Sequence, residues 1–275
     1  MTTMQKSLCV FIHYGEHSYL PNYVRIYINE LLNYFDQTIL VTNKRALKTE
    51  SLFPSQNGSV LFVENEGYDF GMFFKAIQSI DISEYHQIAC INDSNIIFAE
   101  LDPIFNWGLN QQADFWGLID SHEAPWFSSH PNNYHIQSHF LVFNEKAIKC
   151  LPLFFANIDV KSIFNEKDKK QLRKLIIDQW EIGLSQFLLK KGLQSASFFN
   201  SLAFSAKYNR KGKNITKSFY KELIMEGYPL FKKNFVVKKS WRSYIGLKEP
   251  WVKLIEEHAT NQWNIPLLID EMRSI

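Results

Sequence analysis

The sequence is poor in cysteine, and its cysteines show no metal-binding spacing. The three cysteines are Cys9, Cys90 and Cys150, and no two of them form a C-x-x-C pair. Cys9 and Cys90 lie inside apolar runs, where a thiol usually behaves as a small hydrophobic side chain. An odd number of cysteines without such a pair indicates a reducing compartment, the cytoplasm.

Long hydrophobic runs are also absent. No window contains 18 consecutive apolar residues, so the sequence predicts no membrane-spanning helix. The first residues, MTTMQKSLCVFIHY, lack the long apolar segment and the cleavage site of a signal peptide. We therefore expect a cytoplasmic protein whose only membrane contact would be peripheral, at the inner face of the cytoplasmic membrane.

Several sequence signatures of function are missing as well. There is no G-x-G-x-x-G, P-loop or G-x-S-x-G motif, which argues against a dinucleotide-binding fingerprint, a P-loop kinase and a serine hydrolase. The histidines between 122 and 139 match no zinc signature. A net charge of +2 gives no reason to expect nucleic acid as a partner.

What the sequence does have is length and an excess of aromatic side chains. A chain of 275 residues is long enough for one large α/β domain, or for one domain with a helical appendage. Phenylalanine alone accounts for 23 residues, which predicts a core packed largely with its rings.

Apolar runs and helical patterns alternate along the first half of the chain. The apolar runs are 8–14, 37–43, 59–65 and 86–92, and the helical patterns are 22–35 and 70–80. Near-continuous apolar strands that alternate with helices are typical of a parallel sheet covered on both faces. The sequence therefore predicts an α/β fold with a Rossmann-type, mostly parallel sheet flanked by helices.

Three of these strands end in polar residues. The ends are His13-Tyr14, Asn65-Glu66 and Asn92-Asp93. Ligands of such sheets bind outside the carboxyl ends of the strands, so we expect the three ends to face one crevice.

The second half of the chain has a different character. It contains two strand-like runs, then a long helical stretch that ends on Gly192, then a basic loop, at 113–120, 135–144, 168–192 and 207–217. We expect one catalytic-type domain over residues 1–205 and a helical C-terminal extension over 206–275, packed on the same domain.

The fourth strand ends on Asn92-Asp93-Ser94-Asn95, and this ending has two interpretations. One is a simple Asx turn. The other is a cation or sugar-nucleotide site, in which Asp93 supplies a carboxylate and Asn95, two residues on, points the same way. The position at the end of a buried strand is what favours a ligand site.

The segment ENEGYDFG at 64–71 also has two interpretations. It is typical of a strand-to-helix turn in which Asp69 caps a helix that begins near Phe70. It would equally suit a phosphate site, because Gly67 and Gly71 let the backbone approach an anion at a helix N-terminus.

Glu181 lies in the long helical stretch beside Trp180. It is either a solvated helix glutamate or a general base, since a bulky aromatic neighbour can desolvate a carboxylate and increase its basicity. His122 and Glu123 lie in a polar and aromatic loop, and we expect them to line a substrate pocket rather than to bind a metal.

Basic residues gather towards the C-terminus, in the loop 207–217 and at Lys232, Lys233, Lys238 and Lys239. They form either a solvated face or a surface that neutralises a leaving diphosphate or approaches anionic lipid.

Six segments, in their order along the chain, resemble the rhamnan synthesis protein F family. They are ENEGYDFG, INDSN, ADFWGLIDSHE, HIQSHFLVFN, WEIGLSQFLLKKG and GYPLFKK, and the resemblance covers roughly residues 8–235. Members of this bacterial family are implicated in lipopolysaccharide O-antigen and capsule assembly. More distantly, the chain is similar to GT-A glycosyltransferases, whose sheet is Rossmann-like.

The resemblance to GT-A enzymes implies roles for individual residues. Asp93-Ser94-Asn95 looks like a degenerate D-x-D element, which implies Mg²⁺ or Mn²⁺ held by Asp93 and Asn95. WEIGLSQFLLKKG resembles the E-D-x-x-L-x-x-R-x-x-x-x-G element of inverting members, with Trp180 at the first acid, Glu181 at the catalytic base and Gly192 at the closing glycine.

Together these features predict a hexosyl- or deoxyhexosyltransferase that moves a sugar from a nucleotide-diphosphate sugar to a hydroxyl of a glycan or lipid-linked glycan. Glu181 and Asp93 are the predicted catalytic residues. The predicted substrate-binding residues are His13, Tyr14, Asn65, Gly67, Tyr68, Asp69, Asn92, Ser94, Asp120, His122, Glu123, Gln137, Ser138 and Lys232. Fusion to other transferase domains would be compatible with this function.

Three alternatives stay open at this point. The enzyme could retain the anomeric configuration, in which case Glu181 is not a base. It could work without a metal, since Asn95 stands where a second acid is expected. The chain could also be a non-catalytic module that binds sugar nucleotides or glycans.

Overall fold

An eight-stranded sheet forms the frame of the protein. The computed structural model describes residues 6–15, 19–45, 52–53, 57–209, 214–237, 249–260 and 262–274. The strands are β1 (Lys6–His13), β2 (Gln37–Thr42), β3 (Gly58–Phe62), β4 (Tyr85–Asn92), β5 (Asn95–Ile97), β6 (Phe115–Ser121), β7 (His135–Ile136), β8 (Phe140–Asn144), β9 (Ser195–Phe199) and β10 (Leu230–Lys232). β5 and β10 lie outside the main sheet and form a separate antiparallel ribbon.

The main sheet has the order β3-β2-β1-β4-β8-β6-β7, and β9 pairs with β6. β1 to β4 are parallel to one another, and β6 and β9 run in the same direction. β7 and β8 run the opposite way. The predicted α/β class with a Rossmann-type, mostly parallel sheet is therefore confirmed.

Helices flank the sheet and dominate the C-terminal part of the chain. They are α1 (Asn22–Leu31), α2 (Tyr68–Gln78), α3 (Asp102–Leu109), α4 (Glu145–Ala156), α5 (Val160–Asn165), α6 (Lys169–Leu175), α7 (Gly183–Lys190), α8 (Ser201–Lys207), α9 (Ile215–Ser218), α10 (Tyr220–Met225), α11 (Lys233–Val237), α12 (Pro250–His258) and α13 (Ile265–Ser274). A short 3₁₀ helix, Ile82–Glu84, precedes β4. Within the described residues, no helix combines the length and apolar character needed to cross a lipid bilayer.

β1 shows how the apolar strands organise two cores, one on each face of the sheet. Because successive side chains of a strand point to opposite faces, Cys9 and Phe11 join the cluster that contains α1. Leu8, Val10 and Ile12 join the cluster that contains α2. Phenylalanine rings are prominent among the largest fully buried side chains on both faces, as the composition predicts.

The predicted strand 135–144 is interrupted, and this corrects the sequence-based boundaries. β7 and β8 both pair with β6, but residues 137–139 between them leave the ladder. Gly117 makes the interruption fit, because a Cβ atom there would come within 2.3 Å of Ile136 Cγ2 and 2.4 Å of the Phe140 carbonyl oxygen. An alternating apolar pattern gives no sign of such a break.

The predicted helix 168–192 is present but not uniform. α6 and α7 are joined by a π-helical segment, Ile176–Ile182, in which the Gly183 N–H donates to the Asp178 carbonyl five residues back. Asp168 caps the start of α6 by accepting from the N–H groups of Lys170 and Gln171. Gly192, with a φ of 81°, follows the end of α7 as a left-handed stop residue.

The C-terminal region packs back onto the N-terminal half. Glu271 on α13 accepts hydrogen bonds from the N–H groups of Asn22 and Tyr23, which are otherwise unpaired at the start of α1.

Three short strands, β5, β9 and β10, were not predicted from the sequence. Lys238, Lys239 and residues 210–213 of the basic loop lie outside the described residues.

Trp180 gives a test of the core around α2. Its ring is fully buried and packs against Phe70, Phe74, Phe155 and Phe164. We expect Trp180→Ala to lower the free energy of unfolding by about 3–5 kcal/mol, because it leaves a large cavity. Chemical denaturation followed by circular dichroism measures this loss.

Trp126, which is 83% exposed, supplies the matched control. Trp126→Ala should change the free energy of unfolding by less than about 0.5 kcal/mol, as is usual for surface positions. Equal losses for the two variants would contradict the packing described for Trp180.

Candidate functional site

A buried carboxylate, Asp93, lies directly after β4 and is the centre of a hydrogen-bond network. Its Oδ2 atom accepts from His13 Nδ1 at 2.7 Å, from the Tyr23 hydroxyl at 3.0 Å and from Lys233 Nζ at 3.0 Å. Asp93 is only 6% exposed, so these donors replace the water that the carboxylate has lost. The network joins the end of β1, the start of α1, the end of β4 and the start of α11.

Opposing effects determine the charge of Asp93. Burial acts to raise the pKa of its carboxyl group. The hydrogen bond from His13 and the positive charge of Lys233 outweigh burial and hold this pKa below its usual value. Asp93 is therefore ionised at neutral pH.

The short ribbon of β5 and β10 brings Lys232 and Lys233 to this site. Lys232 is the partner of Asn95 across the ribbon, and the Lys233 N–H donates to the Ser94 carbonyl at 3.2 Å. The Asn92 side chain accepts from the Ser94 N–H at 3.1 Å, which is an Asx turn. The Asx-turn interpretation of the strand ending is confirmed, and the ligand-site interpretation stays a prediction.

The turn between β3 and α2 is tightly built. Gly67 and Tyr68 both have positive φ, at 76° and 54°, and a left-handed conformation is uncommon for a bulky residue such as Tyr68. At Gly71 a Cβ atom would lie 1.6 Å from the Glu66 carbonyl oxygen, so only glycine fits there. The predicted role of Asp69 as a cap is wrong, because α2 begins at Tyr68 after an N-cap at Gly67.

Asp69 instead lies in the first turn of α2, half-buried, with other carboxylates nearby. Burial and, after it, the negative charges of Asp93 and Glu181 raise the pKa of Asp69 to about 7, against the opposite influence of Lys233. The carboxylates of Asp69, Asp93 and Glu181 therefore lie close enough for electrostatic interaction, although they come from three distant parts of the chain.

Glu181 projects from the π-helical segment towards residue Ser138. Its Oε1 atom accepts from the Ser138 hydroxyl at 2.9 Å and from the Ser138 N–H at 3.4 Å. The interrupted strand makes this contact available, because Ser138 has left the ladder between β7 and β8. The adjacent Trp180 points away into the core, so the two neighbours on the segment face different environments.

Loop residues hold the π-helical segment in place from outside. The Ser129 N–H and hydroxyl donate to the two oxygens of Asp178 at 2.7 and 2.8 Å. The ring of His130 contacts the Asp178 carbonyl at 3.0 Å. π-Helical turns are frequently found at functional sites, and this one sets the position of Glu181.

Two cavities adjoin each other, and Glu181 lines the smaller one. The first, about 360 Å³, includes Ser94, Ser138, Glu181 and Lys232 in its lining. The second, about 660 Å³, is lined by Asp120, Ser121, His122, Glu123, Ala124, Pro125, Trp126, Phe127, Gln137, Ser201, Leu202, Ser205 and Ile215. Glu123 and Gln137 line both, so the two cavities are neighbouring parts of one depression.

The predicted residues in the second cavity differ in what they can offer a ligand. Asp120 is engaged internally, since it accepts from the Ser197 hydroxyl, the Asn200 amide and the Ser201 N–H. Gln137 is 5% exposed, and its Nε2 atom has no partner among the described residues. Its free amide is thus the more available group.

The remaining predicted residues lie at the strand ends, as expected. Asn65 follows β3 with a buried Oδ1 atom that has no described partner, and Tyr14 follows β1 with 45% of its surface exposed. Asn92 donates from Nδ2 to the Ser138 carbonyl at 3.4 Å. The substrate roles of these residues stay predictions.

The donor set at Asp93 and Asn95 fits a divalent cation poorly. Asn95 Oδ1 is buried and has no described partner, as a metal ligand would be. The adjacent carboxylate, however, already accepts from an ammonium group and two other donors on one oxygen. Within the described ranges, no group of three His, Cys, Asp or Glu side chains could hold a metal ion.

Comparison with known proteins places the chain in a family. The family model described as rhamnan synthesis protein F matches residues 39–275. The chain belongs to the rhamnan synthesis protein F family. This membership, which the six ordered segments predicted, associates the protein with polysaccharide biosynthesis.

The virulence protein VirA of Vibrio anguillarum (strain ATCC 68554 / 775) is one relative of this rhamnan synthesis protein F chain. The two are 26% identical over 198 residues, which is 69% of this chain and 58% of VirA. The chain thus spans just over half the length of the curated relatives it matches.

Two solved structures have a similar arrangement of strands and helices. A proposed glucose-1-phosphate thymidylyltransferase from Bacillus anthracis aligns over 70% of this chain and 86% of its own, with 12% identity and a TM-score of 0.43. A proposed nucleotide-diphospho-sugar transferase from Desulfovibrio desulfuricans G20 aligns over 82% of this chain and 99% of its own, with 10% identity and a TM-score of 0.42. At these values neither alignment bears on the chemistry of the site.

Sequence reasoning missed two groups of the site in this rhamnan synthesis protein F chain. Tyr23 lies within the predicted helix 22–35, and nothing in that pattern indicates that its hydroxyl reaches Asp93. Arg173, at the other side of the smaller cavity, stood in a helix with several other cations and had no distinguishing signal. The doubled lysine at 232–233 was noticed, but its contact with Asp93 depends on a ribbon of three-residue strands.

Asp69 generates a pH-dependent prediction for stability. Its folded pKa of about 7 lies above the usual value of 3.8, so the folded protein holds an extra proton between these values. Above pH 7 the carboxylate must be ionised beside other negative charges, which costs stability. We expect Asp69→Asn to raise the free energy of unfolding by about 1 to 2 kcal/mol at pH 8 and by less at pH 5, because the cost grows as the pH rises from the unfolded to the folded pKa.

Thermal or urea denaturation at the two pH values measures this difference. Asp270→Asn is the matched control, because Asp270 is 73% exposed and pairs only with Arg273 among the described residues. A gain of equal size at pH 5 and pH 8 would refute an ionisation cost at Asp69.

Proposed function

We propose that this protein is a glycosyltransferase that moves a sugar from a nucleotide-diphosphate sugar to a glycan hydroxyl. Its family membership supports a place in the synthesis of a bacterial cell-surface polysaccharide. The observation that carries the proposal is the position of Glu181 in the smaller cavity, which has cationic and amide side chains in its lining and shares Glu123 and Gln137 with a larger, partly aromatic cavity. A proton acceptor beside an anion site, with a glycan-sized cavity adjoining it, is what this reaction requires.

The donor nucleotide would bind across the ends of β1, β3 and β4. His13, Tyr14, Asn65 and the turn at 67–69 would contact it there. The turn supports this role, because it leads into the N-terminus of α2, and a helix N-terminus favours anions. Asp93 acts indirectly, by fixing His13, Tyr23 and Lys233 around the site.

The acceptor would bind in the larger cavity. Gln137 and Glu123 supply polar groups at its inner end, and Trp126 and Phe127 supply aromatic surfaces at its rim. Flat apolar rings beside amide and carboxylate groups suit a glycan, which has both apolar faces and hydroxyl edges. His122 lies beside this rim, with its ring 5.1 Å from that of Tyr134.

In the proposed step Glu181 is the general base. The acceptor oxygen attacks the anomeric carbon from the side opposite the diphosphate, and a new carbon–oxygen bond forms there. The bond between the anomeric carbon and the diphosphate oxygen breaks, and its electron pair leaves with the diphosphate. The acceptor proton passes to Glu181, which Ser138 keeps oriented, and the product has the inverted configuration.

Glu181→Gln tests this role directly. We expect the turnover number to fall by about 10²–10⁴-fold, because the amide cannot accept the proton. Binding of the donor should stay unchanged, since glutamine keeps the shape of the side chain. Nucleotide release from a panel of UDP-, GDP- and dTDP-sugars with rhamnose-containing oligosaccharide acceptors gives the rate, and proton NMR gives the product configuration.

Glu145→Gln, at an exposed position in the first turn of α4, is the control and should retain full turnover. A product of retained configuration, or nearly unchanged turnover in Glu181→Gln, would remove Glu181 as the base and favour a retaining transferase. Donor binding without any turnover in the wild-type protein would favour a non-catalytic binding module.

A further inference from the structure

Three cationic side chains of distant origin converge on the smaller cavity. Arg173 comes from α6, Lys217 from α9 and Lys232 from the end of β10, and all three line the 360 Å³ space that also includes Glu181. Arg173 and Lys217 are exposed at its opening, whereas Lys232 is partly buried. The lining therefore has three positively charged side chains and two carboxylates, Glu123 and Glu181.

No close ion pair or side-chain hydrogen bond holds these cations within the part of the chain that the structure describes. Glu123 and Glu181 act on Lys232 only as more distant negative charges. Burial and, after it, the positive charge of Lys217 lower the pKa of Lys232 to about 8, although Glu181 and Glu123 act in the opposite direction. The positive charges of Lys217 and Lys232 therefore repel one another, and an anion with several charges would relieve that repulsion.

Lys233 has a different task from Lys232, its neighbour in the chain. Its ammonium group lies 3.0 Å from Asp93 Oδ2 and 5.0 Å from the centroid of the Tyr23 ring. It thus supplies positive charge directly beside the carboxylate on which the family resemblance would place a divalent cation. A second cation at that oxygen would have to displace Lys233 or remain beside its charge.

We propose that the diphosphate of the donor is bound by the fixed cations Arg173, Lys217 and Lys232, without a divalent cation at Asp93. This inference rests on the proposed function for the identity of the donor, but not for the binding of the diphosphate group itself. Guanidinium and ammonium donors form strong, charge-assisted hydrogen bonds to phosphate oxygens. They would neutralise the charge that develops on the leaving diphosphate, which is the role a metal ion otherwise fills.

Calorimetric titration of the wild-type chain separates the two modes of binding. The probes are inorganic pyrophosphate, dTDP, UDP and GDP, each titrated in EDTA, in Mg²⁺ and in Mn²⁺. We expect binding in EDTA to be no weaker than in either metal. Mn²⁺ alone should leave the thermal denaturation temperature unchanged, because Asp93 already has its partners.

Variants of the cationic residues test the same proposal from the protein side. Lys232→Met and Lys217→Met should each weaken diphosphate binding by about 10- to 100-fold, the usual effect of removing a charged hydrogen-bond donor. Lys232→Arg, which keeps the charge, should recover much of the affinity. Lys149→Met, at a side chain that is 70% exposed on α4, is the matched control and should bind as the wild type does.

The outcomes are distinguishable from those of the transfer reaction. Binding that requires Mg²⁺ or Mn²⁺, or unchanged affinity in both Lys232→Met and Lys217→Met, would overturn the proposal. Tight binding of pyrophosphate and nucleoside diphosphates in EDTA, without turnover of any sugar nucleotide, would keep the cationic site and reject the transferase. Circular dichroism of each variant ensures that weaker binding reflects the lost charge and not unfolding.

Discussion

The buried carboxylate of Asp93 is the interaction on which the site depends. A charge taken out of water is costly unless donors surround it, and here the donors come from residues 80, 70 and 140 positions away. Satisfying this one side chain therefore fixes the end of β1, the start of α1 and the start of α11 relative to β4. The C-terminal helix reinforces the arrangement, because Glu271 holds the first turn of α1 from the other side.

The interrupted strand is the second determinant of the site. An unbroken strand from 135 to 144 would bury Gln137, Ser138 and His139 in the ladder. The break opposite Gly117 takes them out of the ladder, so that Ser138 donates to Glu181, the His139 carbonyl accepts from the Asn92 N–H, and Gln137 lines both cavities. The absence of a side chain at Gly117 thus leaves room for a turn in the neighbouring strand.

The sequence allowed much of the frame to be predicted, because its apolar runs have the length and spacing of buried parallel strands. Because these strands are parallel, their ends lie at one edge of the sheet, where His13 contacts Asp93 as the strand-end rule predicts. The features that the sequence did not predict depend on tertiary contacts. β5 and β10 are too short to leave a pattern, and the hydroxyl of Tyr23 looks like part of an apolar helix face. The spatial convergence of Arg173 with lysines far along the chain leaves no trace in spacing.

The π-helical segment has an evolutionary consequence. A π turn accommodates one residue more than an α turn, so Ile176–Ile182 behaves as an insertion absorbed within a helix. A homologue shorter by one residue there would regain a regular α-helix, and every later side chain would turn by about 100° around the axis. Glu181 could then be identical in an alignment and yet face the core. Residue count across this segment, as much as residue identity, would distinguish relatives that keep the contact between Glu181 and Ser138 from those that have lost it.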